Sequence, residues 1–184
     1  MLSNFIAFQI GWFSCVLGAA NGMPWLALVV VPIVLWNIQK SRSASTEMLL
    51  VLLAVAVGVL LDSLLVRSGW LRYPSGMFLE GVAPYWILAM WALFATTLNA
   101  SMSWLKKNLI LASVMGAVFG PLSYMAGERF GAIEFTDFNA SIIALAVAWA
   151  IAMPLLLAAA IRLDTAGVRT NNAQLAVQTG ATDA

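Results

Sequence analysis

The chain has 184 residues, of which 62% are hydrophobic and 9% charged, and its formal net charge is +1. With a mean hydropathy of +0.93, it carries more apolar surface than a water-soluble core of this size can enclose, and it has no basic surface for nucleic acid. One cysteine and no histidine exclude an internal disulfide, a histidine general base and a Cys/His zinc site, so no metal or cofactor is expected.

A helix rises about 1.5 Å per residue and the hydrocarbon core is roughly 30 Å thick, so a span needs about 20 mostly apolar residues. Six stretches meet or approach that length. The first, Ser3 to Ala20, ends at Asn21-Gly22, a dipeptide suited to a tight reversal. No basic segment precedes it and no cleavage site follows, so it is expected to be a retained span. The second, Pro24 to Gln39, opens on a proline suited to a first helical position. At about 16 residues it reaches only about 24 Å, and Pro32 is expected to kink it. The third, Glu47 to Arg67, has Ser45 and Thr46 as capping candidates and no strand-like alternation. Its successor, Pro84 to Leu105, stops at Lys106-Lys107, and the last two cover Asn108 to Met125 and Asn139 to Ile161. These stretches predict an all-α, polytopic transmembrane bundle of about six spans over residues 1–163. Residues 164–184 are polar and small, and are expected to form a disordered tail.

Loop charges set the orientation, because Lys and Arg accumulate in short cytoplasmic loops. The side shared by both termini would hold Lys40, Arg42, Lys106, Lys107, Arg162 and Arg169, against Arg67, Arg72 and Arg129 opposite. Both termini, and the tail, are therefore expected in the cytoplasm. Trp12, Trp25, Trp70, Tyr73, Tyr85, Trp86 and Trp104 fall near span ends and read as headgroup anchors.

Polar residues at membrane depth are costly and therefore informative. Asp62 stands among leucines late in the third span, with Gly58 four residues earlier on the same helical face. It needs a partner on another element, unless it is protonated, snorkels, or pairs with Arg67 or Arg72. In the fifth span Ala112, Gly116 and Gly120 form a small-residue ridge for close helix packing. Pro121 is expected to break that helix beside Tyr124, Glu128 and Arg129, which makes GPLSYMAGERFGA the leading site candidate. Thr96, Asn99 and Ser103 recur on one face of the fourth span, with Asn37 as a partner. The loop from Ser68 to Ala83 is too apolar to be free and is expected to lie in the interface or fold over the bundle. A pocket combining Asp62, Arg67, Arg72, Glu80, Tyr85, Tyr124, Glu128 and Arg129 is the resulting hypothesis.

The Gly11-Trp12 pair, the Asp62 position, Pro84-Tyr85-Trp86 and the Gly120-Pro121-Leu-Ser-Tyr124-xx-Gly127 segment resemble a family of small bacterial inner-membrane proteins catalogued as a domain of unknown function. The resemblance covers about residues 1 to 163. It implies a multi-pass protein of the bacterial inner membrane and assigns no catalytic residue. Three functions fit the residues. The first is a non-enzymatic accessory protein for a membrane partner or lipid-related process, surrounded by the bilayer and joined to a partner or a second copy. The second is a small transporter or channel around Asp62 and the proline-containing spans, although the two halves lack the internal similarity of inverted repeats. The third is an enzyme acting on lipid, with Asp62 or Glu128 as acid or base.

Six spans with internal termini predict that a cysteine replacing Ser41 is shielded from an impermeant thiol reagent added outside, while cysteines replacing Ser75 and Thr136 react. Labelling of Ser41→Cys from outside would overturn this topology.

Overall fold

The computed structural model describes residues 2–178, with side chains placed over residues 2–165. Six helices follow one another: α1 (Leu2–Ala20), α2 (Val30–Lys40), α3 (Ala44–Arg67), α4 (Tyr85–Leu98), α5 (Leu109–Arg129) and α6 (Phe138–Gln178). Strands β1 (Leu71–Arg72) and β2 (Glu134–Phe135) pair antiparallel, Leu71 opposite Phe135 and Arg72 opposite Glu134. The helices α1, α3, α5 and α6 are long and apolar enough to cross a membrane, and two shorter apolar segments stand between them. Phe5, Ile6, Ile10, Phe13 and Leu17 of α1 are exposed, as are Leu49, Leu52, Leu60 and Leu64 of α3. Such faces are stable in lipid and unstable in water.

The second span differs from expectation in where its irregularity lies. Pro24–Val29 form a 3₁₀ helix, and the α-helix begins at Val30. Pro32 is then the third α-helical residue, and α2 continues through it to Lys40. A 3₁₀ helix rises about 2.0 Å per residue, so the combined segment reaches about 28 Å instead of about 24 Å. The 3₁₀ stretch lengthens the segment and brings a short sequence close to the thickness of the hydrocarbon.

The fourth span is shorter than expected. α4 ends at Leu98, and after a turn Ser103–Lys107 form a second 3₁₀ helix. Thr96, Asn99 and Ser103 therefore do not share one helical face. The Thr96 and Thr97 hydroxyls donate back to the Leu93 and Phe94 carbonyls, and the Thr97 carbonyl accepts from both Ala100 and Met102. Such local bonds compete with continuation of the helix. At 14 residues α4 spans only about 21 Å. It lies at the centre of the bundle, however, with Trp86, Ile87, Trp91, Leu93, Phe94, Ala95 and Leu98 buried. Non-helical backbone at membrane depth is tolerated when protein covers it.

Pro121 does not break α5, which runs unbroken through it to Arg129. One N–H is missing from the helical ladder, and the preceding Gly120 lacks the Cβ that would crowd the proline ring. Asn108 caps this helix by accepting from the Leu111 N–H at 3.0 Å. Along the face formed by Ala112, Gly116, Gly120 and Tyr124, α5 packs on α6. A Cβ at Gly116 would meet the Trp149 carbonyl and the Met153 side chain, and one at Gly120 would meet the Trp149 ring.

The sixth helix also departs from expectation, since it continues to Gln178 through the first part of the segment read as a disordered tail. Extending a helix avoids the cost of nucleating one, and the residues after Pro154 include no further proline. Residues 179–184 lie outside those described. Tyr73 and Trp86 are buried rather than interfacial, whereas Trp25, Trp70 and Trp104 are exposed.

Gly116→Ala is expected to destabilise the bundle by about 1–3 kcal/mol, the usual cost of overpacking. Thermal unfolding in detergent micelles measures this, and an unchanged midpoint would show that α5 and α6 are not held in close contact.

Candidate functional site

Two buried carboxylates occupy opposite ends of α3, 15 residues and about 22 Å apart along the helix. Asp62 is fully buried. The Tyr73 and Tyr124 hydroxyls donate to its Oδ1 at 2.6 and 2.7 Å, and the Trp91 indole N–H donates to Oδ2 at 2.8 Å. Four elements meet at this group: α3, the segment after β1, α4 and α5. Gly58, one turn earlier on α3, makes the arrangement possible, because a Cβ there would run into the Trp91 indole. Trp91 in turn stacks on Trp149 of α6, with ring centroids 4.7 Å apart and planes 13° from parallel. Loss of water around the buried Tyr73 hydroxyl, and then the neighbouring Asp62, pushes its pKa well above the ordinary phenol range. Tyr73 therefore remains protonated and a donor at neutral pH.

Glu47, at the start of α3, accepts from the Asn37 amide at 2.9 Å and the Asn99 amide at 2.7 Å. Lys106 donates to Asn99 Oδ1 at 2.6 Å and pairs with Asp164 of α6. Asn4 of α1 donates to the Thr96 carbonyl and accepts from Ser101. Side chains from α1, α2, α3 and α6 thereby converge at this end, with α4 joined through the Thr96 carbonyl and through Asn99 just past its end.

A cleft of about 520 Å³ lies between α1 and α5, with α4 behind it and Trp149 and Met153 of α6 deeper in. From α1 it is lined by Phe8, Gln9, Trp12, Phe13 and Val16. From α5 it is lined by the face running from Met115 to Tyr124 and Gly127. Phe13, Phe119 and Leu122 are exposed at its rim. The Phe130 ring closes one end of the gap by edge contacts to Trp12 and Phe13, each at 6.2 Å between centroids. Among the described residues no charged side chain lines the cleft. Two of the three donors to Asp62, Trp91 and Tyr124, form part of its wall.

The eight residues expected to share a pocket separate into several places. Asp62 and Tyr124 are hydrogen-bonded to each other. Arg67 is exposed and its Nε donates to the Gly81 carbonyl, while Arg72 pairs with Glu134 across the β1–β2 ladder, so neither neutralises Asp62. Glu80 and Arg129 are exposed, Glu128 is half-buried, and Tyr85 stacks on Phe78 at 4.9 Å. Sequence reasoning missed Tyr73, Trp91, Glu47, Asn4 and Gln9. A tryptophan in the middle of an apolar span, such as Trp91, is a usable signal, because its buried N–H requires an acceptor. Alternation in Leu71-Arg72-Tyr73 likewise points Tyr73 inward.

Residues 1–155 match the model of a family described as a protein of unknown function (DUF2878). No curated protein and no solved structure matches the chain.

Asp62→Ala would orphan three buried donors at about 1 kcal/mol or more each, a total loss near 3 kcal/mol. Asp62→Asn, which keeps the volume and one acceptor oxygen, should cost less. Unfolding in detergent measures both, and wild-type stability of the alanine variant would refute the bridging role.

Proposed function

We propose, from the premise that this chain belongs to the DUF2878 family over residues 1–155, that it is a lipid-binding accessory protein. It receives one lipid chain from the surrounding bilayer and holds it for a membrane partner. The cleft between α1 and α5 carries this reading. Its volume falls within the roughly 300–1,000 Å³ of ordinary ligand sites. From Met115 to Gly127 it extends about 18 Å along α5, close to the roughly 15 Å depth of one leaflet.

The physical chemistry of the lining selects the occupant. Apolar walls do not hold water, and an empty cleft forfeits the dispersion contacts of every lining atom. An alkyl chain entering sideways supplies those contacts without crossing a polar surface. Four methionines, Met90, Met102, Met115 and Met153, line the space. Their flexible thioethers adapt to chains of different shape.

A transport pathway through Asp62 is less well supported, since that carboxylate is enclosed and bonded to three donors. Catalysis by Glu128 is less well supported, since that residue is half-buried and does not line the cleft. The resemblance described above supports the bacterial cytoplasmic membrane as the setting, and the loop charges support both termini inside.

Native mass spectrometry of protein extracted in mild detergent is expected to show one retained lipid per chain. Ser123→Trp, which fills the cleft from α5, should reduce retention at least tenfold while leaving the unfolding temperature near that of wild type. Equal retention by the two proteins would remove the cleft from consideration.

A further inference from the structure

The cleft has one feature that an alkyl chain alone leaves unexplained. Gln9 lies seven residues into α1, about 10 Å from its start, among the apolar residues Phe8, Trp12 and Phe13. It lines the cleft and is half-buried. Among the described residues its amide makes no side-chain hydrogen bond and is not enclosed, so it is free to bond a molecule held in the cleft that Gln9 lines. Of the other polar lining groups, Tyr124 and Trp91 donate to Asp62, Trp86 to the Ser75 carbonyl and Ser123 to the Gly120 carbonyl, while the Trp12 and Trp149 indoles can only donate, so Gln9 is the open lining group able both to donate and to accept. An open amide in a membrane faces hydrocarbon rather than water. Transfer of such a group into an alkane costs about 4–8 kcal/mol when nothing there can hydrogen-bond.

We infer that the lipid held in the cleft carries an uncharged oxygen group, an ester carbonyl or a hydroxyl, that hydrogen-bonds Gln9. This rests on the lipid-binding reading of the same cleft and specifies the ligand's chemistry. A primary amide both donates and accepts, so it satisfies either oxygen group. A charged headgroup is disfavoured inside the cleft because no Lys, Arg, Asp or Glu lines it among the described residues. The recognised molecule is therefore a neutral lipid, or the ester region of a larger lipid whose head remains outside.

The test uses full-length protein in detergent with two radiolabelled probes, dioleoylglycerol, which has ester carbonyls and a hydroxyl, and the hydrocarbon squalane, which has no polar atom. Wild type should retain dioleoylglycerol in preference to squalane. Gln9→Leu should bind dioleoylglycerol about tenfold more weakly, the effect of one hydrogen bond left unmade, and bind squalane as well as wild type or better. A wild-type unfolding temperature in the variant shows that the change is local. Competition by methyl oleate, which keeps only an ester, or by oleyl alcohol, which keeps only a hydroxyl, then separates the two oxygen sources. Undiminished binding of dioleoylglycerol by Gln9→Leu would overturn the role of Gln9 while leaving the cleft as a binding site. Retention of neither probe by wild type would overturn the lipid-binding reading and this inference with it.

Discussion

A single carboxylate, Asp62, holds together elements that hydrophobic packing alone would leave free to slide. Association of helices in lipid lacks the drive that expels water from a soluble core, so shape and polar contacts must supply the specificity. Asp62 supplies direction, since its two oxygens accept from Tyr73, Trp91 and Tyr124 on three different elements. Two of the donors are fixed by aromatic packing as well, Tyr73 by its edge contact to Trp86 and Trp91 by its stack on Trp149. A shift of α4 or α5 by one residue would separate a donor from the carboxylate at membrane depth, where no water replaces it.

Glu47 plays the corresponding part at the other end of α3. Its two amide partners come from α2 and the end of α4, and the Asn99 amide passes the connection to Lys106 and α6. The short central helix α4 is thus fixed at its middle, through Trp91, and just past its end, through Asn99, by acids carried on one neighbour. Between these fixed points, α1 and α5 are not in extensive contact, which leaves the cleft. The polar centres therefore keep open a space that uniform apolar packing would close. Trp91 and Tyr124 share in both structures, giving the cleft a wall that is rigid where it meets the carboxylate.

Much of this architecture was legible in the sequence. Hydropathy located every helix, and the cost of a buried charge singled out Asp62. The failures have specific physical causes. Pro121 was expected to break its helix, but a proline's effect depends also on the residue before it, and Gly120 leaves room for the ring. The end of α4 was invisible because Thr96 and Thr97 are compatible with an apolar span until their hydroxyls turn back onto the backbone. Arg67 and Arg72 were plausible partners for Asp62 by proximity in sequence, yet the β1–β2 ladder carries Arg72 to Glu134 instead. Cleft-lining Gln9 was overlooked because one amide hardly changes the hydropathy of a span, and its meaning depends on which way the helix faces.

The cleft opens sideways, between Phe13 on one helix and Phe119 and Leu122 on another. A molecule entering through such an opening is already dissolved in the bilayer, so occupancy follows its mole fraction among membrane lipids rather than its aqueous concentration. Saturation then depends on the composition of the membrane. A change in that composition would register in the protein directly, without any soluble messenger.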